Sequence, residues 1–205
     1  MDSPGSNKVL DASKTKPLEG GATFTFANRV TRAVWAVVWT LLARWTPPPL
    51  HSWRRLLLLA FGAKIAPGAR VHASVKVWLP ANLKLGSDCL IGPGVWLYNP
   101  GAMTIGAKTV ISYRSHICSA THDVNDPNFQ AIMRPVVIGE HCWIASEAFV
   151  GPGVTMGDRS VLGARGALFK DTEPDSVYSG NPAAFVKQRK LRVVSQFEFS
   201  SPRFL

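Results

Sequence analysis

From Ile65 to Leu168 the chain keeps returning to an aliphatic side chain at six-residue steps, in groups of three. The groups are Ile65, Val71 and Val77; Leu85, Ile91 and Leu97; Ile105, Ile111 and Ile117; Ile138, Ile144 and Val150; and Met156, Leu162 and Leu168. Four residues after each anchor stands a small or narrow residue, among them Ala69, Val75, Ala81, Cys89, Thr109, Ser115, Thr121, Cys142, Ala148 and Ser160. Strand side chains alternate between faces, so an anchor and the residue four positions on both point inward, one large and one small. A helical stripe would recur at three and four residues, and none runs through this stretch. Glycine and proline fall between the anchors, as in Gly92-Pro93-Gly94 and Gly151-Pro152-Gly153, where turns belong. Repeats of one flat face plus one turn specify a parallel β-helix, with three repeats to a coil and like positions stacked on the coil above. A β-sandwich of short strands is the competing reading, and fifteen anchors in five groups of three weigh against it.

Around this repeat the sequence divides into a polar, Gly-, Ser- and Lys-containing leader (1–23), expected to be flexible, and an apolar segment of helical composition (24–62). The β-helix follows (63–178), and then a basic tail (179–205). The leader's polar composition is not that expected of a secretory signal. In the apolar segment, Trp35 and Trp39 lie opposite a stripe of Val30, Val34, Val37 and Leu41, so the helix is apolar nearly all round. Its uninterrupted apolar run is too short to span a bilayer. Pro47-Pro48-Pro49 breaks it before a second short helix that begins near Trp53. One role for these helices is to cap the β-helix. Another is to lie at a membrane surface with Arg29, Arg32, Arg44, Arg54 and Arg55 toward acidic head groups, and the two are compatible.

The net charge is +10, concentrated at the two ends of the chain, and the repeat body is nearly neutral. Such ends suit an anionic membrane or a polyphosphate ligand. No nucleic-acid-binding motif or basic-aromatic platform accompanies them, so nucleic acid is not expected as a partner. Cys89, Cys118 and Cys142 show no zinc spacing, and an odd count argues against a disulfide framework. This composition points to a reducing cytoplasm.

The repeat breaks once in an informative way. Ile117 and Ile138 are 21 residues apart, so a loop leaves the coil over 122–137, rooted at His122. Long loops on rigid scaffolds usually carry function, and histidine is the side chain best suited to exchange a proton near neutral pH. Asp123 is placed either to orient His122 or to start a local turn.

Here the chain resembles a known family. Thr121-His122-Asp123, Cys142-Trp143-Ile144-Ala145, Gly151-Pro152-Gly153, Lys170-Asp171 and Gly180-Asn181-Pro182-Ala183 are similar to motifs of the hexapeptide-repeat acetyltransferases. Over roughly residues 24–190 the likeness is to the colanic-acid-biosynthesis, exopolysaccharide O-acetyltransferases.

The resemblance implies an all-β fold, a left-handed parallel β-helix, assembled as a homotrimer with active sites between subunits. It implies acetyl-CoA as cosubstrate and no metal. The acceptor would be a sugar hydroxyl on a lipid-linked or nucleotide-linked saccharide. His122 takes the place of the general base, and the backbone N–H of Ser146 that of the oxyanion donor. Trp143, Ala145, Gly163, Ala164, Lys170 and Lys187 take the places that line the CoA groove. The chain departs from the pattern twice. Ala184 replaces a basic residue, which leaves Lys187, Arg189 and Lys190 for the phosphates. Gly92 stands where galactoside and maltose acetyltransferases carry a sugar-binding Asn, so Tyr98 and Asn99 become the acceptor candidates, with Asn99 equally suited to the Asn-Pro-Gly turn.

Three other functions compete. One is acyl transfer to a different small hydroxyl or amino acceptor. Another is a metal-dependent hydratase of the γ-carbonic-anhydrase type, which needs two histidines five apart and a third partner; His116 and His122 are six apart. The last is a non-catalytic trimeric assembly protein, against which the constellation of His122, loop and Trp143 argues.

Overall fold

The computed structural model describes residues 9–191. Three parallel sheets wind around one axis. The first stacks Lys64–Ile65, Leu83–Leu85, Met103–Ile105, Val136–Ile138 and Thr155–Met156. The second stacks Arg70–Val71, Leu90–Ile91, Val110–Ile111, Trp143–Ile144, Val161–Leu162 and Ser176–Gly180, and the third runs from Lys76–Val77 to Ala167–Leu168. The anchors pair with one another across coils: Ile65 with Leu85, Ile91 with Ile111, Leu97 with Ile117, Val150 with Leu168. All fifteen are buried, twelve of them with at most one per cent of their surface accessible. The architecture is the left-handed parallel β-helix of hexapeptide-repeat proteins.

The narrow positions are buried too, with two exceptions that mark where the coil departs from its rhythm. Ala81 lies in a 3-10 turn, Pro80–Asn82, that lengthens a corner, and Thr121 already belongs to the arm that leaves the coil. The residue before ten of the fifteen narrow positions is left-handed, at Asp88, Lys108, His141, Glu147 and Arg165 among others. These sharp corners turn charged side chains outward. Glu147 accordingly meets Arg165 at 2.8 Å, and Arg159 meets Asp175 at 2.7 Å, each one coil above the other. The cysteines fill interior space, and burial pushes the Cys89 thiol up to about 12.

The first coil has no coil beneath it, so its anchor carbonyls lack the N–H partners that the other coils enjoy. The helices Phe26–Leu42 and His51–Ala60 supply them. Trp35 Nε1 donates to the Val77 carbonyl at 2.8 Å, Arg54 Nε to Val71 at 2.7 Å, and Arg55 Nη2 to Ile65 at 2.9 Å. Arg54 is fully buried and also donates to Thr46, Pro47 and Pro48. The segment therefore caps the coil. Arg54 and Arg55, expected to face head groups, are turned to the protein's own backbone. The stripe of Val30, Val34, Val37 and Leu41 remains exposed. Among the described residues no helix is long and apolar enough to cross a membrane.

Two boundaries differ from expectation. Within the leader, residues 9–23 are folded: Ala12–Thr15 is a short helix capped by Asp11, Ala12 is buried, and Val9 bridges to Phe24. Beyond the last coil, Ala183–Gln188 pairs antiparallel with Ser176–Gly180, so the start of the tail closes the far end of the stack as a hairpin. The rest of the tail, from residue 192, lies outside the described residues.

Candidate active site

The interruption after the third coil is a two-stranded arm. Ala120–His122 pairs antiparallel with Ala131–Met133, which puts His122 opposite Ala131. Two Asp-x-Asn turns shape the tip: Asp123 Oδ1 accepts from Asn125 N–H at 2.9 Å and Asp126 Oδ1 from Asn128 N–H at 2.7 Å. They bring Phe129, itself left-handed, back over the root of the arm, and His122 Nδ1 lies 2.6 Å from the Phe129 carbonyl. A carbonyl only accepts, so Nδ1 carries the proton and the neutral ring keeps its lone pair on Nε2. The residue that orients His122 is thus Phe129 through its backbone. Asp123, placed by the sequence either to orient His122 or to start a local turn, accepts from Asn125 N–H in the turn.

A second clamp joins the arm to the leader: Gln130 Oε1 accepts from Ala12 N–H at 2.7 Å, and Gln130 Nε2 donates to the Leu10 carbonyl at 3.2 Å. Neither Gln130 nor Phe129 stood out in the sequence. The two Asp-x-Asn pairs were the available signal, because consecutive side-chain-capped turns fold a loop back on itself.

His122 is exposed and borders two cavities. One, of about 420 Å³, is also lined by Thr121, Asn125, Arg134 and Pro152. The other, of about 170 Å³, is lined by Thr23, Phe24, Tyr98 and Met133. Tyr98, expected near the acceptor, is therefore beside His122. Burial raises its phenol pKa above the usual range, keeping it a neutral donor. Asn99 is different. It is fully buried, with Oδ1 accepting from Leu79 N–H at 3.1 Å and Nδ2 donating to the Leu79 carbonyl at 2.8 Å. It is a corner residue with no surface to offer an acceptor. Gly92 is explained by the same packing, since a Cβ there would lie 2.8 Å from the Ile111 carbonyl oxygen.

The remaining candidates fall on another edge of the prism. Ala145–Ser146 and Gly163–Ala164 occupy one corner column, tied by Ala145 N–H to the Leu162 carbonyl at 2.9 Å and Arg165 N–H to the Ser146 carbonyl at 3.0 Å. The Ser146 N–H has no acceptor among the described residues. Trp143 stands on the adjoining face, half exposed, its Nε1 donating to Ser112 Oγ at 3.0 Å. Gly163 owes its missing side chain to the next coil, because a Cβ would meet Ser179 Oγ at 2.8 Å. Lys170 is one coil beyond Pro152 in the column that borders the His122 cavity. Lys187 is exposed on the terminal hairpin opposite Val177. Arg189 is committed elsewhere, donating to the carbonyls of His141 and Arg159 at 2.9 and 2.8 Å.

One chain therefore gathers His122 and Tyr98 at the arm. It holds Trp143, Ala145, Ser146, Gly163 and Ala164 apart from them, across the third sheet. Among the described residues no group of three His, Cys, Asp or Glu side chains comes together as a metal site. His116 stacks on Trp96 at 4.5 Å, where burial lowers its pKa.

A coil built from hexapeptide repeats, broken by a histidine-bearing arm, defines a hexapeptide-repeat transferase scaffold, and known proteins agree. The fold matches a hexapeptide-repeat acetyltransferase from Vibrio cholerae complexed with acetyl coenzyme A, with a TM-score of 0.73 and 19% identity over 88% of this chain and all of that one. A galactoside acetyltransferase in complex with coenzyme A gives a TM-score of 0.72 and 21% identity over 88% of this chain and 92% of that one. In sequence, the chain is 41% identical to the putative colanic acid biosynthesis acetyltransferase WcaF of Escherichia coli K12, over 81% of this chain and 91% of that protein. No family model matches. The chain belongs to the colanic acid biosynthesis acetyltransferase family of hexapeptide-repeat enzymes.

Proposed function

We propose that the protein moves an acetyl group from acetyl-CoA to a sugar hydroxyl of an exopolysaccharide precursor, with His122 as general base. The observation that carries this reading is the bond from His122 Nδ1 to the Phe129 carbonyl, which leaves Nε2 as an acceptor beside two cavities. Nε2 would take the hydroxyl proton as the sugar oxygen attacks the thioester carbon. The tetrahedral oxyanion would be held by a backbone N–H, for which Ser146 is the candidate. Collapse expels the CoA thiolate, which recovers the proton from the imidazolium.

The separation of His122 from the Ser146 column within one chain supports a homotrimer, in which the corner of one subunit faces the arm of the next. Trp143, Ala145, Gly163 and Ala164 would then border the pantetheine, with Lys170 and Lys187 toward the phosphates. Replacing His122 with Ala should cut turnover by about 10²–10⁴-fold, with the melting temperature and acetyl-CoA binding retained, as read by thiol release with a panel of sugar acceptors. Turnover within a few-fold of the parent would eliminate His122 as the base.

The exposed stripe of Val30, Val34, Val37 and Leu41 supports peripheral contact with the cytoplasmic face of a membrane. Val34→Asp with Val37→Asp should abolish co-flotation with anionic vesicles; unchanged flotation would reject that role.

A further inference from the structure

A cavity of about 310 Å³, with room for about ten water molecules, lies between the helix Phe26–Leu42 and the first coil and shares no lining residue with the cavities at His122. Arg32, Arg44 and Lys76 line it, together with Trp78 and no carboxylate. Among the described residues none of these three cations has an ion-pair partner, although ion pairs form elsewhere in the protein. Arg54 and Arg55, close in sequence, are consumed in capping the coil; Arg32 and Arg44 are not. Arg32 binds Asn28 Oδ1 through Nε at 3.0 Å and lays its guanidinium over the Trp78 ring at 4.2 Å, which holds the group in place without neutralising it. Burial, with Arg29 nearby, lowers the Arg32 pKa, as an unpaired cation in a partly desolvated site requires. Arg32, held over Trp78, and the exposed Arg44 and Lys76 around one open cavity form a receptor for a multiply charged anion.

The cavity is joined to the candidate active site by an unbroken aromatic path. Trp78 packs against Phe24 at 4.9 Å and against Tyr98 at 6.0 Å, and Phe24 and Tyr98 both line the smaller cavity at His122. From the Trp78 coil to the His122 coil is two steps of about 4.8 Å each, a span that a saccharide bearing a phosphate at one end bridges. Aromatic faces are suitable walls for the apolar faces of sugar rings, and they leave the hydroxyl edges free. Phosphates of CoA fit this cavity poorly. The CoA candidates Gly163, Ala164 and Lys170 belong to the last coil, four steps or about 19 Å from the first.

The geometry points to an acceptor that is a glycosyl phosphate or diphosphate, with its phosphate end held by Arg32, Arg44 and Lys76 and its sugar carried along Trp78 and Tyr98 to His122. This rests on the reading of His122 as the site of acyl transfer to a sugar. A glycosyl diphosphate could come from a nucleotide-linked sugar or from a lipid-linked saccharide, and the test includes both.

The variant is Arg44→Glu with Lys76→Glu, two solvent-accessible changes outside the acyl-transfer machinery. It should raise the KM for a uridine diphosphate sugar, or for a short-chain prenyl diphosphate saccharide in vesicles, by roughly tenfold or more. The KM for acetyl-CoA and the kcat/KM for a neutral methyl glycoside should move by less than about twofold. The acceptor with the lower KM identifies the source of the phosphate. Equal losses for neutral and phosphorylated acceptors would overturn the proposal, and so would a rise in the KM for acetyl-CoA, which would assign the cavity to CoA. Calorimetric titration with inorganic pyrophosphate reads the cavity without any acyl transfer. Binding to the parent that weakens by roughly tenfold in the variant supports the anion site, and no binding to the parent refutes it even if sugar acetylation stands. Pyrophosphate binding by a protein that acetylates no saccharide would instead refute the acceptor assignment together with the proposed function.

Discussion

The coil and the arm that interrupts it are held together in different ways. In the coil, each anchor is buried against like residues of the adjacent coils, and each inner strand is bonded to two neighbours, so the same interaction is repeated through five layers. In the arm, a few unlike contacts determine the conformation: two Asp-x-Asn turns, the Phe129 carbonyl on His122, and Gln130 reaching the leader. Repetition makes the coil stable and its register hard to change. The arm's tip depends on single bonds, and a single change can move His122. The difference teaches that stability and activity are separable in this chain and should respond to different substitutions.

The sharpest way to stress the coil is to open a hole in it. Ile144→Ala removes a side chain with no accessible surface in a central layer, and should cost about 2–5 kcal/mol of stability. Denaturant unfolding checks the value, while activity per folded molecule should remain near that of the parent. A comparable loss of specific activity would mean that coil and arm are coupled more tightly than their contacts indicate.

Gln130→Ala tests the arm. Removing the bonds to Ala12 and Leu10 should cost about 1 kcal/mol globally yet lower kcat severalfold, because His122 is left on a looser support. Asp123→Ala, which loses only the turn to Asn125, should have the smaller kinetic effect. If Asp123→Ala were as damaging as His122→Ala, the carboxylate would have a role in orienting the imidazole that its bond to Asn125 does not suggest.

The weakest effect should come from the corner ion pairs. The hydrogen bond and charge of Arg159 hold the Asp175 pKa below its usual 3.8. A depressed carboxylate pKa stabilises the fold above the unfolded value, and that stabilisation is lost as pH falls through the folded one. Acid unfolding below about pH 4 should therefore be slightly less steep in Asp175→Asn, with no difference near neutrality beyond the loss of the pair itself. An unchanged acid limb would show that this exposed pair contributes nothing measurable.

Much of the molecule was legible from residue order alone. The six-residue rhythm determined the coil, because the identity of an interior residue depends only on its place in a repeat, and places recur. The interruption located the arm for the same reason, and His122 stood at its root. Contacts between residues distant in the chain were not legible. Arg54, Arg55 and Trp35 read as surface or helix residues, yet they satisfy carbonyls that exist only because the stack must begin somewhere. Asn99 read equally as a turn or a ligand, and only its burial between two coils decided for the turn. Phe129 gave no signal at all, since it acts through a carbonyl that every residue possesses. Periodic local pattern thus determined the scaffold and the position of the arm that carries the candidate site. The orientation of His122, the commitment of each arginine and the aromatic path from the basic cavity were decided by tertiary structure, because they depend on which unlike groups meet when the coils close.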